Sequence, residues 1–145
     1  LKDMYTLNQI FQLIETEATA HQQIAQYGQG DVWEIQPKEL DYVVLWAIED
    51  SASVSDRTLT YDIRLICMDR VLPAEENEEE VLSDTLLILL DFVAYFRQLH
   101  TEGVTIQPSV SFDPFTERFD DKVSGHSCVL SLTQSYNYNK CQIPI

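Results

Sequence analysis

Apolar residues in the first part of the chain recur with the period of an α-helix. Thr6 and Gln9 have the spacing of a capping box, in which each side chain bonds the backbone N–H of the other residue. Glycines in Gly28-Gln29-Gly30 mark the end of this predicted helix. Its apolar face comprises Leu7, Ile10, Phe11, Ile14, Ala18, His21 and Ala25. The pattern predicts an amphipathic helix that packs on a core.

A second helix is predicted from Ala74 to Leu99. Acidic residues at a helix start are favoured by the macrodipole, and five of them open this segment: Glu75, Glu76, Glu78, Glu79 and Glu80. The apolar residues that follow wrap most of the way round the helix, so more than one side should be covered. We expect a sheet to cover one side and a neighbouring subunit to cover another.

Strand patterns lie between the two helices. Val32–Ile35 forms a short candidate strand, and Tyr42–Ile48 is apolar throughout. Leu59–Met68 alternates between apolar and polar residues with the two-residue period of a half-buried strand. The polar, serine-rich segment Glu49–Arg57 between the last two is typical of a long hairpin loop. We therefore expect Tyr42–Ile48 and Leu59–Met68 to pair as a hairpin.

The second half of the chain repeats this plan. Thr105–Phe112 and Val123–Thr133 are predicted strands, and Gln134–Ile145 is an extended C-terminal arm. The complete prediction is one α+β domain over residues 1–145, in helix–hairpin–helix–hairpin order. Its mostly antiparallel sheet has about four or five strands, with both helices packed on it.

Composition narrows the classes of function. The chain has 145 residues, 45% of them hydrophobic, and a net charge of −15. Nine basic residues against 24 acidic ones cannot easily build the positive face that phosphate binding requires, so tight nucleic-acid binding is not expected. Apolar runs such as Leu86–Leu90 are far shorter than the roughly 20 residues of a membrane span. No signal-peptide pattern opens the sequence, which predicts a cytoplasmic protein.

No residue pattern identifies a catalytic or metal site. Cys67, Cys128 and Cys141 lack the paired short spacings of zinc ligands, which favours reduced structural thiols. The three histidines fall on different elements without a metal-binding spacing. Ser124–Cys128 lacks the G-x-S-x-G pattern of a nucleophile elbow. We expect no enzyme activity, no cofactor, no bound metal and no small-molecule substrate.

The segment Phe112–Gly125 places three phenylalanines among charged residues. One interpretation is a β-turn corner whose aromatic side chains cover the end of the sheet. The other is a knob that plugs a pocket on the next subunit, because aromatic residues and arginine are enriched at interface centres. With the C-terminal arm, the candidate subunit-interface residues are Phe112, Phe115, Arg118, Phe119, Tyr136, Tyr138 and Ile143.

Three segments together resemble a group of small virion proteins of tailed bacteriophages, including crAss-like phages. They are the acidic run before Val81–Leu86, the turn Phe119–Gly125, and Cys141-Gln142-Ile143-Pro144. The predicted order of elements is also similar to the tail-terminator and head–tail connector fold. The resemblance covers Met4–Pro144.

This resemblance implies a ring of identical subunits in the neck or tail of a virion, assembled in the host cytoplasm and joined to other virion proteins. No catalytic residues accompany it. An acidic lumen would let DNA pass without binding it, and Asp50, Asp56 and Arg57 are the candidate lumen or stacking residues. Two alternatives stay open: a small acidic adaptor or inhibitor acting as a monomer or dimer, and an enzyme with dispersed carboxylates.

Overall fold

The computed structural model describes residues 4–31, 41–71, 77–118 and 123–136. Two α-helices and six strands lie in this part of the chain. In chain order they are α1 (Leu7–Ala20), β1 (Gln26–Gln29), β2 (Val44–Ser55), β3 (Thr58–Arg70), α2 (Glu78–Gln98), β4 (Thr105–Ile106), β5 (Phe112–Arg118) and β6 (Val123–Ser135). A 3₁₀ turn, Leu99–Glu102, follows α2 directly. The candidate strand Val32–Ile35 lies outside the described residues.

The first helix begins as predicted but ends earlier. Thr6 and Gln9 form the complete capping box, with the Gln9 N–H donating to Thr6 Oγ1 at 3.2 Å. The helix ends at Ala20, where His21 adopts an extended conformation as its C-cap. The prediction that Gly28–Gly30 ends the helix is therefore wrong. Gly28 and Gln29 instead belong to β1, where they pair with Trp46 and Ala47 of β2, and Gly30 follows the strand.

The sheet is mostly antiparallel as predicted, but it has more strands than the predicted four or five and one of its pairings is parallel. Its six strands follow the order β1-β2-β3-β6-β4, with β5 also paired to β6. Four of the pairings among described residues are antiparallel, but β1 pairs with β2 in parallel, so the sheet is mixed. The predicted helix–hairpin–helix–hairpin order is also wrong, since an extra strand (β1 or β4) follows each helix before its hairpin.

The hairpin of β2 and β3 confirms the predicted pairing but not its long loop. Val44 pairs with Met68 at one end, and Ser55 pairs with Thr58 at the other. The segment predicted as a polar loop is strand up to Ser55, and Asp56 and Arg57 alone form the turn. A strand exposed on both faces needs no alternation of apolar residues, so its serine-rich sequence resembles a loop.

The final hairpin extends into segments predicted as a loop and an arm. Phe112–Arg118 is strand β5, which includes Pro114 because an edge strand can lack one N–H donor. Gln134 belongs to β6 and is buried, since its amide bonds the backbone of Tyr5. The extended arm predicted from Gln134 is therefore wrong for its first two residues, and the arm beyond Tyr136 lies outside the described residues.

Both helices pack on one face of the sheet. The large buried side chains of this core come from alternate positions of the central strands and from the inner faces of the helices, and include Ile10, Ile14, Leu45, Ile63, Leu65, Ile88, Leu89, Phe92, Phe96, Leu130 and Leu132. Cys67 and Cys128 are buried in it as free thiols. Burial raises the pKa of both, that of Cys128 to about 12, so neither is a reactive thiolate at neutral pH.

A smaller cluster lies on the opposite face of the sheet. Val44, Trp46, Met68 and Val123 form its buried part, and Phe115 packs against it. These residues alternate in β2, β3 and β6 with those that face the helices. The sheet is thus buried on both faces at this end, whereas the outer half of β2 is exposed.

Candidate assembly surfaces

The outer half of the β2–β3 hairpin is the most exposed part of the sheet. All residues from Glu49 to Arg57 are exposed. Among the described residues β1 pairs only with Val44–Ala47, so no described strand pairs with the outer edge of β2 beyond Ala47. Even the apolar side chain of Val54 is 53% exposed here. The hairpin therefore presents a surface that another molecule can reach from either face.

The candidate lumen residues Asp50, Asp56 and Arg57 all belong to this hairpin, but they occupy different positions. Asp50 lies within β2 at a register shift between Glu49 and Ser51, and its Oδ1 is 3.7 Å from Arg64 Nε. Asp56 occupies the turn with φ of 54°, a left-handed conformation that aspartate tolerates better than most residues. Asp50 is therefore a strand residue and not a loop residue as predicted.

Side-chain and backbone hydrogen bonds connect this hairpin to β6 and to the residue that follows it. Asp62 accepts from Ser51 Oγ at 2.8 Å and from Ser131 Oγ at 2.6 Å, which links β2, β3 and β6 on the open face of the sheet. At the turn, the N–H of Tyr136 donates to the carbonyl of Arg57 at 2.7 Å. The structure thus brings two candidate site residues, Arg57 and Tyr136, together.

The aromatic interface candidates pack within their own subunit. Phe112 is partly buried against the main core, and Phe115 is partly buried against the cluster on the opposite face. Their side chains lie on opposite faces of β5, so they do not form one knob. Arg118 pairs through its backbone with Val123. Three other candidates, Phe119, Tyr138 and Ile143, lie outside the described residues.

A further exposed surface lies on α2 and was not among the predicted site residues. Leu87 and Leu90 are 56% and 41% exposed. They line an open groove together with side chains from the end of α1, including Glu17 and His21. The sequence signal for this surface was the apolar character of α2 on most of its sides. The choice of residues left exposed depends on how α2 docks on the sheet.

The histidines have separate surroundings. His21 Nε2 lies 2.8 Å from Asp91 on α2, while His100 lines a different open groove beside Arg97. His126 is buried on β6, with its Nδ1 3.2 Å from Thr85 Oγ1, and this burial lowers its pKa. The described residues contain no group of three potential metal ligands.

Two acidic side chains have unusual environments. Burial raises the pKa of Asp69, at the end of β3, although the N–H of Arg70 acts in the opposite direction. Glu102 accepts a hydrogen bond from Tyr5 Oη at 2.5 Å, and this bond raises the pKa of Tyr5 to about 12. Asp69 lines neither of the two grooves described above.

Comparison of the sequence with models of protein families and with curated proteins gave no match. In the described part of the chain, no helix combines the length and apolar character needed to span a membrane.

Proposed function

We propose that this protein is a structural subunit of a tailed-bacteriophage virion, in which copies form a ring at the head–tail neck or the tail. The observation that carries the proposal is the β2–β3 hairpin, an acidic element that is exposed from Glu49 to Arg57. The proposed location of the ring, in the neck or tail, comes from the resemblance to small virion proteins. Neighbouring ring proteins and further copies of this chain are the proposed partners.

The net charge supports a role in which the protein surrounds DNA without binding it. The net charge of −15 repels phosphates, and acids at a channel wall keep DNA from adhering to it. Glu49, Asp50 and Asp56 would line the channel from the hairpin, with water between them and the duplex. The proposed role is therefore to join ring proteins and to let the genome pass.

A cryo-electron microscopy map of the assembled particle tests the proposal. We expect a ring of this subunit, with the hairpin turns at Asp56 and Arg57 facing the channel. A subunit that lies wholly outside the DNA path, or a channel lined by basic residues, would contradict the conduit role.

Two matched charge-reversal variants test whether the acidic hairpin affects the rate of DNA ejection. Glu49→Lys with Asp50→Lys reverses charge on the hairpin, and we expect assembled particles that eject DNA more slowly. Glu15→Lys with Glu79→Lys makes the same change of charge at one exposed position on each helix and serves as the control. Equal ejection by both variants would contradict a lumen role for the hairpin.

The second candidate function is a small acidic adaptor that acts as a dimer. The observation in its favour is the exposure of Leu87 and Leu90 on α2, since apolar surface of this kind marks a contact with a partner. The presence or absence of the protein in purified particles separates the two candidates. An adaptor would be absent from the virion.

A further inference from the structure

Exposed positions along α2 recur with a seven-residue repeat. Its inner side is buried against the sheet and α1 through Val81, Thr85, Ile88, Leu89, Phe92, Val93 and Phe96. From Glu80 onward, the exposed positions on its outer side are Glu80, Ser83, Asp84, Leu87, Leu90, Asp91, Ala94, Arg97 and Gln98. They follow the a, d and e positions of a heptad that begins at Glu80. This is the spacing of one face of a helix, and such a face can pack along a second helix where its central residues are apolar.

The outermost stripe of α2 has the same order of residue types from either end, apart from the sign of the terminal charge. It comprises Glu80, Ser83, Leu87, Leu90, Ala94 and Arg97, with alternating spacings of three and four residues. Its midpoint lies between Leu87 and Leu90. From that midpoint outward, each end has a leucine, then a small residue, then a charged residue. The charges at the two ends are opposite in sign.

From this symmetry we propose that α2 pairs with α2 of a second copy of this chain, antiparallel, about a two-fold axis at its midpoint. Leu87 of each copy then packs against Leu90 of the other at the centre. Ser83 lies opposite Ala94, where small side chains let the helices approach closely. Glu80 of each copy lies opposite Arg97, so the contact ends in an ion pair on each side.

Charge selects the antiparallel orientation. Arg97 is the only basic residue of α2. In a parallel pair it would lie opposite the second copy's Arg97, and Glu80 would lie opposite its equivalent, so both ends would repel. In an antiparallel pair both ends attract, and complementary charges of this kind determine orientation. The current partner of Arg97, the carbonyl of Pro108 at 3.3 Å, is exposed and leaves other N–H donors available.

The groove beside the stripe gives the second helix a place to lie. Glu17 and Ala20 of α1 and its C-cap residue His21 form one wall along Leu87 and Leu90. On this side Asp84 and Asp91 of each copy approach those of the other, and His21 bonds Asp91 at 2.8 Å. Because these four carboxylates oppose association, we expect a weak dimer with a Kd of about 10–100 μM. The contact closes at two copies and is independent of the proposed ring.

Sedimentation equilibrium of the purified chain tests the dimer. We expect the wild type to be dimeric at millimolar concentration, and Leu87→Asp with Leu90→Asp to be monomeric throughout. Val54→Asp is the matched control, because it adds a charge at an exposed apolar residue on the hairpin and should leave the dimer unchanged. Circular dichroism verifies that each variant is folded. A wild type that remains monomeric at about 1 mM, or a dimer that the leucine variant retains, would overturn the proposal.

Charge exchange tests the ends of the contact. Glu80→Arg alone and Arg97→Glu alone should each weaken the dimer about tenfold. The double variant, Glu80→Arg with Arg97→Glu, restores opposite charges and should return to within about threefold of the wild type. Failure of the double variant to recover while the single variants are weakened would contradict the proposed pairing.

Cysteine cross-linking tests the orientation. In a Cys141→Ser background, a mixture of the S83C and A94C chains should form an intermolecular disulfide on oxidation, and neither chain should do so alone. Cross-linking of S83C to itself would indicate a parallel pair and overturn the inference. A ring that persists when the leucine variant has lost the dimer would leave the proposed virion function standing.

Discussion

The indole ring of Trp46 lies directly over Gly28, its partner on the neighbouring strand, so closely that a Cβ at Gly28 would overlap the ring. The indole N–H also donates to the carbonyl of Gly30 at 3.0 Å. One side chain of β2 therefore contacts the C-terminal half of the short parallel strand β1 and the residue just beyond it. A four-residue strand has few hydrogen bonds of its own, so this contact adds to what holds it on the sheet.

We predict that Gly28→Ala lowers the free energy of unfolding by about 1–3 kcal/mol, because the added methyl group displaces the Trp46 ring. Urea denaturation measures the change. Gln29→Ala, at an exposed position on the same strand, should have an effect below about 0.5 kcal/mol. In a Trp46→Leu background the Gly28→Ala effect should shrink, since the smaller side chain leaves room. An undiminished effect there would show that backbone conformation is responsible.

A second prediction concerns Gln134 and Tyr5. The Gln134 amide accepts from the Tyr5 N–H at 2.8 Å and donates to the Tyr5 carbonyl at 2.6 Å, which ties the chain before α1 to β6. Gln134→Leu leaves the N–H without this partner, while the carbonyl keeps the hydroxyl of Tyr61 at 3.2 Å. We expect a loss of about 1–3 kcal/mol, measured by thermal or urea unfolding. Gln98→Leu, on the exposed end of α2, should change stability little; an equal loss there would point to a nonspecific effect.

Stability should also depend on pH through His126. Burial lowers its pKa in the folded state, so the unfolded state binds the proton first as the pH falls below about 6.5. The contribution of the neutral imidazole is therefore complete above that pH and is lost as the pH falls toward the lowered folded pKa. The pKa of Asp69 is raised in the folded state. Its protonation therefore favours folding as the pH falls, but only at the lower pH at which carboxyl groups titrate.

Urea midpoints measured between pH 7.5 and 5.5 test this expectation. The wild type should lose stability across the range, and His126→Gln should lose less because it has no imidazole to protonate. His100→Gln, at an exposed histidine, should follow the wild-type curve. If His126→Gln followed the same curve as the wild type, the pH dependence would have to arise elsewhere.

The elements that the sequence predicted well are those with strong local signals. Thr6 and Gln9 marked the start of α1 because a capping box depends on neighbouring residues only. The alternation in Leu59–Met68 identified β3, since one of its faces meets the helices. Strand β1 was missed because Gln26–Gln29 has no periodic pattern and the residues that it pairs with and packs against in β2, such as Trp46, are distant in sequence.

The candidate site was harder to predict because exposure depends on tertiary packing. Phe112 and Phe115 were proposed for an interface, yet their positions on opposite faces of β5 direct them to two clusters of their own subunit. The sequence did show that apolar residues occupy most sides of α2. That Leu87 and Leu90 remain exposed follows only from the angle at which Ile88, Leu89 and Phe92 meet the sheet.

A final prediction concerns the edge of β2 beyond Ala47, where no described strand pairs with it. Asp50 is the extra residue between two pairs of the ladder, Glu49 with Ile63 and Ser51 with Asp62. A bulge that carries a charge discourages other strands from joining an exposed edge. Deleting Asp50 should leave a folded protein with a regular, flatter edge that self-associates more readily, as measured by light scattering over time. Asp50→Asn removes the same charge but keeps the bulge, so it should scatter less than the deletion. Equal scattering would assign the protection to charge, and an unfolded deletion variant would show that the bulge is needed for the register of the hairpin.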